Sequence, residues 1–277
     1  MYNTSFDGTR IFYRIKRKKL PFLIFLHGWG TNWTSWKKEI MYFERLGYST
    51  LALDLRGHGQ SGKPEEKSAY KFTAFAKDLK KIIIKEKIKD FILIGHSMGG
   101  TVALKYWYIY KKRPKALVLA DTTYKDLGAR ANIQNVSPYI IHLFDFIMKH
   151  EHIRQKHYSH LKDIDLSKRS RSDVVHLLKG LRNMPLKSVF ATLETQLKFK
   201  ARKVLRTIDV PVLLIEGSDD RVCALKDVEK MYEEIKDVDL DYVPKGKHCV
   251  NLENAELMDR YIFHFLRGHK LLPSKQR

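Results

Sequence analysis

The stretch Ile92-Leu-Ile-Gly-His-Ser-Met-Gly-Gly-Thr-Val-Ala-Leu104 joins a run of apolar residues to a helically spaced segment through Gly95-His96-Ser97-Met98-Gly99. That five-residue pattern is a nucleophile elbow. The turn is so tight that positions two before and two after the serine have no room for bulk, a condition Gly95 and Gly99 meet. It lifts the Ser97 hydroxyl above the sheet, and the helix behind it offers unpaired N–H groups and the positive end of a dipole. Negative charge developing on a carbonyl oxygen would be stabilised there, so acyl chemistry suits this geometry. The flanks agree: Phe91 to Ile94 is a continuous apolar run fit for a central parallel strand, and Met98 to Tyr110 has helical spacing without proline.

A chain of 277 residues with 44% apolar content can form one large α/β domain or a core domain carrying an insertion. Its longest apolar runs, such as Phe22 to Leu26, are far too short to span a bilayer, so no transmembrane segment is expected. Met1 to Gly8 has neither a basic start nor an apolar stretch, so no signal peptide is expected. Only two cysteines are present, Cys223 and Cys249, which argues against a disulfide-built secreted domain; reduced packing thiols and a cytoplasmic location are expected. The formal net charge of +21 favours anionic substrates, acidic partner proteins, nucleic acid or anionic lipid. Lysine is scattered through almost every segment, so a solvated basic surface is the plainer reading, and no nucleic-acid-binding motif accompanies the charge.

Along the chain, Asn3 to Ile15 reads as a hairpin turning at Asp7-Gly8, after which Lys16 to Lys19 exits to solvent. Pro21 to Leu26 reads as a buried strand ending in His27-Gly28-Trp29-Gly30. In a fold whose site lies at the carboxyl ends of parallel strands, this loop reaches the same edge as Ser97, and its two glycines let the backbone approach a ligand. The Trp29 and Met98 N–H groups are therefore the expected oxyanion donors. Trp33, Trp36, Ile40 and Phe43 have the spacing of a core-packing helix, and Tyr48 to Leu53 that of the next strand. Asp54 to Ser61 is a structured loop in which His58 reads as a turn residue rather than a catalytic imidazole, and Lys67 to Lys87 reads as one amphipathic helix.

Lys115 to Asp121 is a further expected strand, after which the strand–helix alternation stops for too long an interval to be a simple loop. Thr122 to Lys200 reads instead as an inserted helical cap whose apolar side chains shape the pocket. It holds His142, His150, His152, His157, His160 and His176; His157 and His160 are one turn apart, but no cysteine or carboxylate pattern supports zinc, and no metal is expected. Phe144, Phe146, Ile147 and Met148 read as pocket lining rather than a membrane-touching face. The alternation resumes with a strand at Val210 to Glu216, a helix at Ala224 to Ile235, a strand at Val238 to Val243 and a last helix at Glu253 to Leu266.

A serine hydroxyl needs a base to become nucleophilic, and the base needs a carboxylate to fix its tautomer. Asp220 lies just past one strand end and His248 in the loop after the next, both opening on the edge that carries Ser97. Asp219, and Asp121 at the end of the preceding strand, are rivals for the acid.

The chain resembles the α/β-hydrolase superfamily over nearly its whole length, on His27 to Gly30, Asp54 to Ser61, Gly95 to Gly100, Gly217 to Asp220, and His248 with Glu253. The resemblance implies a mostly parallel eight-stranded α/β sheet formed by residues 1–121 and 201–277, a helical cap at 122–200 and no cofactor. It selects Asp220 over its rivals by the spacing from Gly217. It also implies an acyl-enzyme on Ser97, with a carboxylesterase acting on a small or medium ester as the favoured activity. Lactone, thioester and carbon–carbon bond hydrolases share nearly the same motifs, as does a slow-turnover ligand receptor. The expected partner is a small-molecule ester, anionic or carried on an acidic protein, taken by a monomer or homodimer with no specific nucleic acid.

Overall fold

The computed structural model describes residues 1–110, 114–125, 165–167, 180–182 and 184–274. Eight strands form one sheet: β1 (Tyr2–Thr4), β2 (Arg10–Lys16), β3 (Lys19–Leu26), β4 (Tyr48–Leu53), β5 (Phe91–His96), β6 (Leu117–Ala120), β7 (Val212–Gly217) and β8 (Val238–Val243). Their spatial order is β1-β2-β4-β3-β5-β6-β7-β8, with the β1–β2 and β2–β4 pairs antiparallel and every later pair parallel. The hairpin and the mostly parallel eight-stranded sheet expected from the sequence are thus present.

The period of two along each central strand divides the apolar residues between two cores. Phe22, Ile24 and Leu26 of β3, Phe91 and Leu93 of β5, and Val212 and Leu214 of β7 face one side. There they pack under α2 (Phe72–Lys85), α3 (Met98–Ile109) and, at one end, α6 (Leu225–Glu234). Leu23, Phe25, Ile92, Ile94, Leu213 and Ile215 face the other side, against α1 (Lys37–Arg45) and α8 (Ala255–Gly268). All of these strand residues are essentially inaccessible to water, and each contributes about 1.5–3 kcal/mol by the usual transfer scale. A strand buried on both faces has no polar side, which is why these runs read as continuous apolar stretches.

Three local departures from the expected elements have physical causes. Lys67–Tyr70 is a 3₁₀ turn and the α-helix begins only at Phe72, because Lys71 is extended (φ −66°, ψ 143°) beside an anchored Tyr70, whose hydroxyl donates to the Pro64 carbonyl at 2.9 Å. The C-terminal helix is split into α7 (Val250–Glu253) and α8 by Asn254, whose backbone leaves the helical region at φ −124° and whose carbonyl accepts from Leu257 and Met258. Lys19 is already part of β3, pairing with Tyr48, rather than in the solvent-directed run. Most of the expected cap, including its six histidines and Phe144 to Met148, lies outside the described residues; within it are α4 (Leu186–Leu197) and, just after it, α5 (Arg202–Leu205).

Candidate active site

β5 ends at His96 and α3 begins at Met98, leaving Ser97 alone at the corner with φ 50° and ψ −115°. A β-carbon is disfavoured in that region, at a cost of order 1–3 kcal/mol that the surrounding fold offsets. The corner is pressed against its neighbours: a Cβ at Gly99 would collide with the Leu26 carbonyl at the end of β3, and one at Gly95 would lie 2.5 Å from the Gly100 nitrogen. The close approach required of both positions is therefore real.

Ser97 does not stand alone. Its Oγ is 2.9 Å from His248 Nε2, and His248 Nδ1 is 2.8 Å from Asp220 Oδ2. The carboxylate fixes the imidazole with its proton on Nδ1, so Nε2 is the acceptor that faces the serine hydroxyl. The other Asp220 oxygen accepts the Val222 and Cys223 N–H groups at 2.6 and 3.1 Å. Burial would raise the Asp220 carboxyl, but the adjacent His248 and these hydrogen bonds hold it below its ordinary value. The three residues come from the loops after β5, β7 and β8, on one edge of the sheet.

Neither rival acid is in this position. Asp219 is exposed. Asp121 is fully buried and braces the ends of β5 and β7 and the start of α7: Oδ1 accepts the Gly217 N–H at 3.0 Å, Oδ2 accepts the Val250 N–H at 3.2 Å, and Oδ2 lies 3.4 Å from His96 Nε2.

The His27 to Gly30 loop runs beside the serine, as its place in the sequence implies. A Cβ on Gly28 would sit 2.6 Å from His96 Nδ1 and 3.5 Å from Ser97 Cβ, so only glycine fits without a shift. His27 is buried and holds the loop: its Nε2 accepts the Leu55 N–H at 2.9 Å, which leaves Nδ1–H to donate to the Gly28 carbonyl at 2.8 Å. Burial, with His58 5.2 Å away ring to ring, keeps the His27 imidazole well below its usual pKa and neutral. His58 is likewise buried, pushed down to about 4, and donates from Nδ1 to the Arg56 carbonyl at 3.0 Å. Trp29 is partly buried and Met98 fully so, as the first residue of α3.

Sequence reasoning overlooked two residues here. His96 Nε2 donates to the His248 carbonyl at 2.6 Å, tying the elbow to the histidine loop. Glu216, the penultimate residue of β7, is completely buried, and its carboxyl lies in a cluster with Asp121 and Asp220 in which oxygens of all three are within 4.8 Å of one another. Burial, and then the charges of Asp121 and Asp220, push the Glu216 carboxyl up to about 11, so it holds its proton at neutral pH. Cys223 and Cys249 are buried, reduced thiols, with Cys223 Sγ 3.1 Å from the Asp121 carbonyl oxygen. His96, Asp121 and His248, or Asp220, Cys223 and His248, are of metal-ligand type and lie close together, but the hydrogen bonds described above already engage His248 and both carboxylates.

The profile of the alpha/beta hydrolase fold family matches residues 21–255. The chain belongs to the α/β-hydrolase family. This α/β hydrolase is 27% identical over 252 residues to protein ABHD8 of Homo sapiens, spanning 88% of its own length but only about half (54%) of that relative's. Its fold is that of a carboxylesterase from the thaumarchaeon Nitrososphaera gargenis, with a TM-score of 0.78 at 18% identity, covering 98% of this chain and 99% of the other. It is equally that of the enol-lactonase of Burkholderia xenovorans LB400, with a TM-score of 0.74 at 18% identity over 96% of this α/β hydrolase and 100% of the lactonase. At such identities the likeness is one of fold. Among the described residues, no helix is long and apolar enough to cross a membrane.

Proposed function

We propose that this protein is a serine hydrolase that cleaves a small or medium carboxylic ester through an acyl-enzyme on Ser97. The observation that carries this reading is the unbroken hydrogen-bond chain from Ser97 Oγ through the His248 ring to Asp220, at 2.9 and 2.8 Å. His248 Nε2 takes the hydroxyl proton as Oγ attacks the ester carbonyl, and Asp220 stabilises the imidazolium that forms. The backbone N–H groups of Trp29 and Met98 receive the oxyanion. As the tetrahedral intermediate collapses, the alcohol leaves with the proton from His248. Water, deprotonated by the same histidine, then attacks the acyl carbon and releases the acid and Ser97.

On this reading residues 122–200 are the cap that shapes the acyl and alcohol pockets, and the enzyme needs no cofactor. It works in the cytoplasm on a small-molecule ester, as a monomer or homodimer. A lactone or thioester would enter the same acyl-enzyme, and the fold likeness to the enol-lactonase supports testing one.

The test is steady-state hydrolysis of p-nitrophenyl esters of increasing chain length by the wild type and Ser97→Ala side by side. Sustained turnover lost in Ser97→Ala is expected, with the preferred chain length sizing the pocket. Turnover retained by Ser97→Ala would remove Ser97 from the nucleophile's role, and a single burst without turnover would point to a receptor.

A further inference from the structure

α4 turns three polar side chains, Ser188, Thr192 and Gln196, onto one face by their four-residue spacing. All three are buried, at 1%, 0% and 6% exposure, where a helix packed for stability alone would present apolar groups. Each meets a different element at the carboxyl edge of the sheet. Ser188 Oγ lies 2.7 Å from the Tyr70 hydroxyl, and Gln196 Nε2 donates to Thr101 Oγ1 at 3.3 Å, one turn of α3 beyond Ser97. Between them, the Trp29 indole N–H donates to Thr192 Oγ1 at 2.9 Å. The Thr192 hydroxyl gives its own hydrogen to the Ser188 carbonyl at 2.6 Å, which leaves a lone pair directed to the indole.

The same loop is held from a second direction. Leu181, Met184 and Val189, with Leu186, form a small apolar cluster that receives the Trp29 ring. Gly180 packs so closely on the Gly30 carbonyl that any side chain there would overlap it. Trp29 and Gly30 are therefore clamped by a segment more than 140 residues away in the sequence.

We infer that Thr192 is a positioning residue for the oxyanion site: its hydrogen bond to the Trp29 indole sets the loop at the height from which the Trp29 backbone N–H reaches the oxyanion. This rests on the proposed role of that N–H. Transition-state stabilisation by a backbone donor falls steeply with misplacement, whereas ground-state binding of an ester does not need the donor, so the two can be separated kinetically.

The experiment uses the full chain with Thr192→Val, Thr192→Ser, Trp29→Phe and the Thr192→Val/Trp29→Phe double variant. It reads p-nitrophenyl ester kinetics and inhibition by an alkyl trifluoromethyl ketone, whose Ser97 adduct places an oxyanion in the site. Thr192→Val is expected to lower kcat about ten-fold and weaken the ketone by a similar factor, with KM within about two-fold. Thr192→Ser should restore both, and the double variant should be no worse than the poorer single one, as for two partners of one bond. A change confined to KM, or losses that multiply in the double variant, would overturn the inference. If Thr192→Val is unfolded at the assay temperature, Trp29→Phe removes the same bond from the other side, and an unchanged kcat in that variant overturns it. Should Ser97→Ala still turn over, the underlying reading falls; should Ser97→Ala be dead while Thr192→Val matches the wild type, the positioning role alone falls.

Discussion

His96 Nε2 stands 2.6 Å from the main-chain oxygen of His248, so the residue before the elbow serine is bonded to the residue whose ring meets that serine. Side chain to main chain, this bond fixes the histidine loop relative to β5 without using the reacting ring. His96→Leu should leave the fold intact and lower kcat by about ten-fold or more through a looser serine–histidine distance. KM should change little. Kinetics matching the wild type would show that Asp121 and the loop backbone hold His248 unaided.

The two buried aspartates should separate cleanly. Asp220→Asn is expected to cut turnover by roughly 10⁴-fold, because the amide favours the wrong imidazole tautomer. Asp121→Asn should spare the tautomer but lose one acceptor for the Gly217 or Val250 N–H, destabilising the fold by about 1–3 kcal/mol. Urea unfolding together with activity per folded molecule distinguishes these; the reverse pattern would make Asp121 the acid.

Glu216 gives a prediction in pH. Its folded pKa is raised to about 11 by burial, Asp121 and Asp220, while in the unfolded chain it ionises near the ordinary value. Above that ordinary value the unfolded state binds fewer protons, so this group's contribution to stability is full at acid pH and declines as pH rises toward its folded pKa. Glu216→Gln keeps shape and neutrality in the fold but removes the ionisation from the unfolded chain. The variant's stability relative to wild type should therefore climb between pH 5 and pH 9, by at most about 1.4 kcal/mol per unit. Chemical denaturation at both pH values measures the difference, and a relative stability that stays flat with pH would mean Glu216 is ionised in the fold.

Gly28→Ala should test how tightly the loop lies against the elbow. The added methyl would meet His96 Nδ1 at 2.6 Å, so either the imidazole or the loop must move. Activity should fall at least about ten-fold with unfolding little changed. Full activity would show that the contact yields without disturbing Ser97.

The sequence was most legible where one residue type has one use. β4 and β8 begin and end at the expected residues, because each run is bounded by turn chemistry, and Ser97, Asp220 and His248 meet as their strand contexts imply. It was least legible where a residue's task depends on the height of another loop. Nothing local to His96 says that its Nε2 reaches a carbonyl 152 positions away, or that Glu216 at the end of an apolar run faces two further carboxylates. The break at Lys71 was hidden for a related reason: helical spacing continues through it, and only the anchoring of Tyr70 turns the chain.

The edge strand β8 has β7 on one side and no strand on its other side among the described residues. Asp239 and Asp241 alternate along it on one face, and the Asp241 carboxyl is held above its usual range by burial and by the Asp239 charge. Two copies joining strand to strand along this margin would add further carboxylates to a row that already repels itself. In a chain with a formal net charge of +21, two aspartates thus disfavour strand-to-strand pairing at the β8 edge of the sheet.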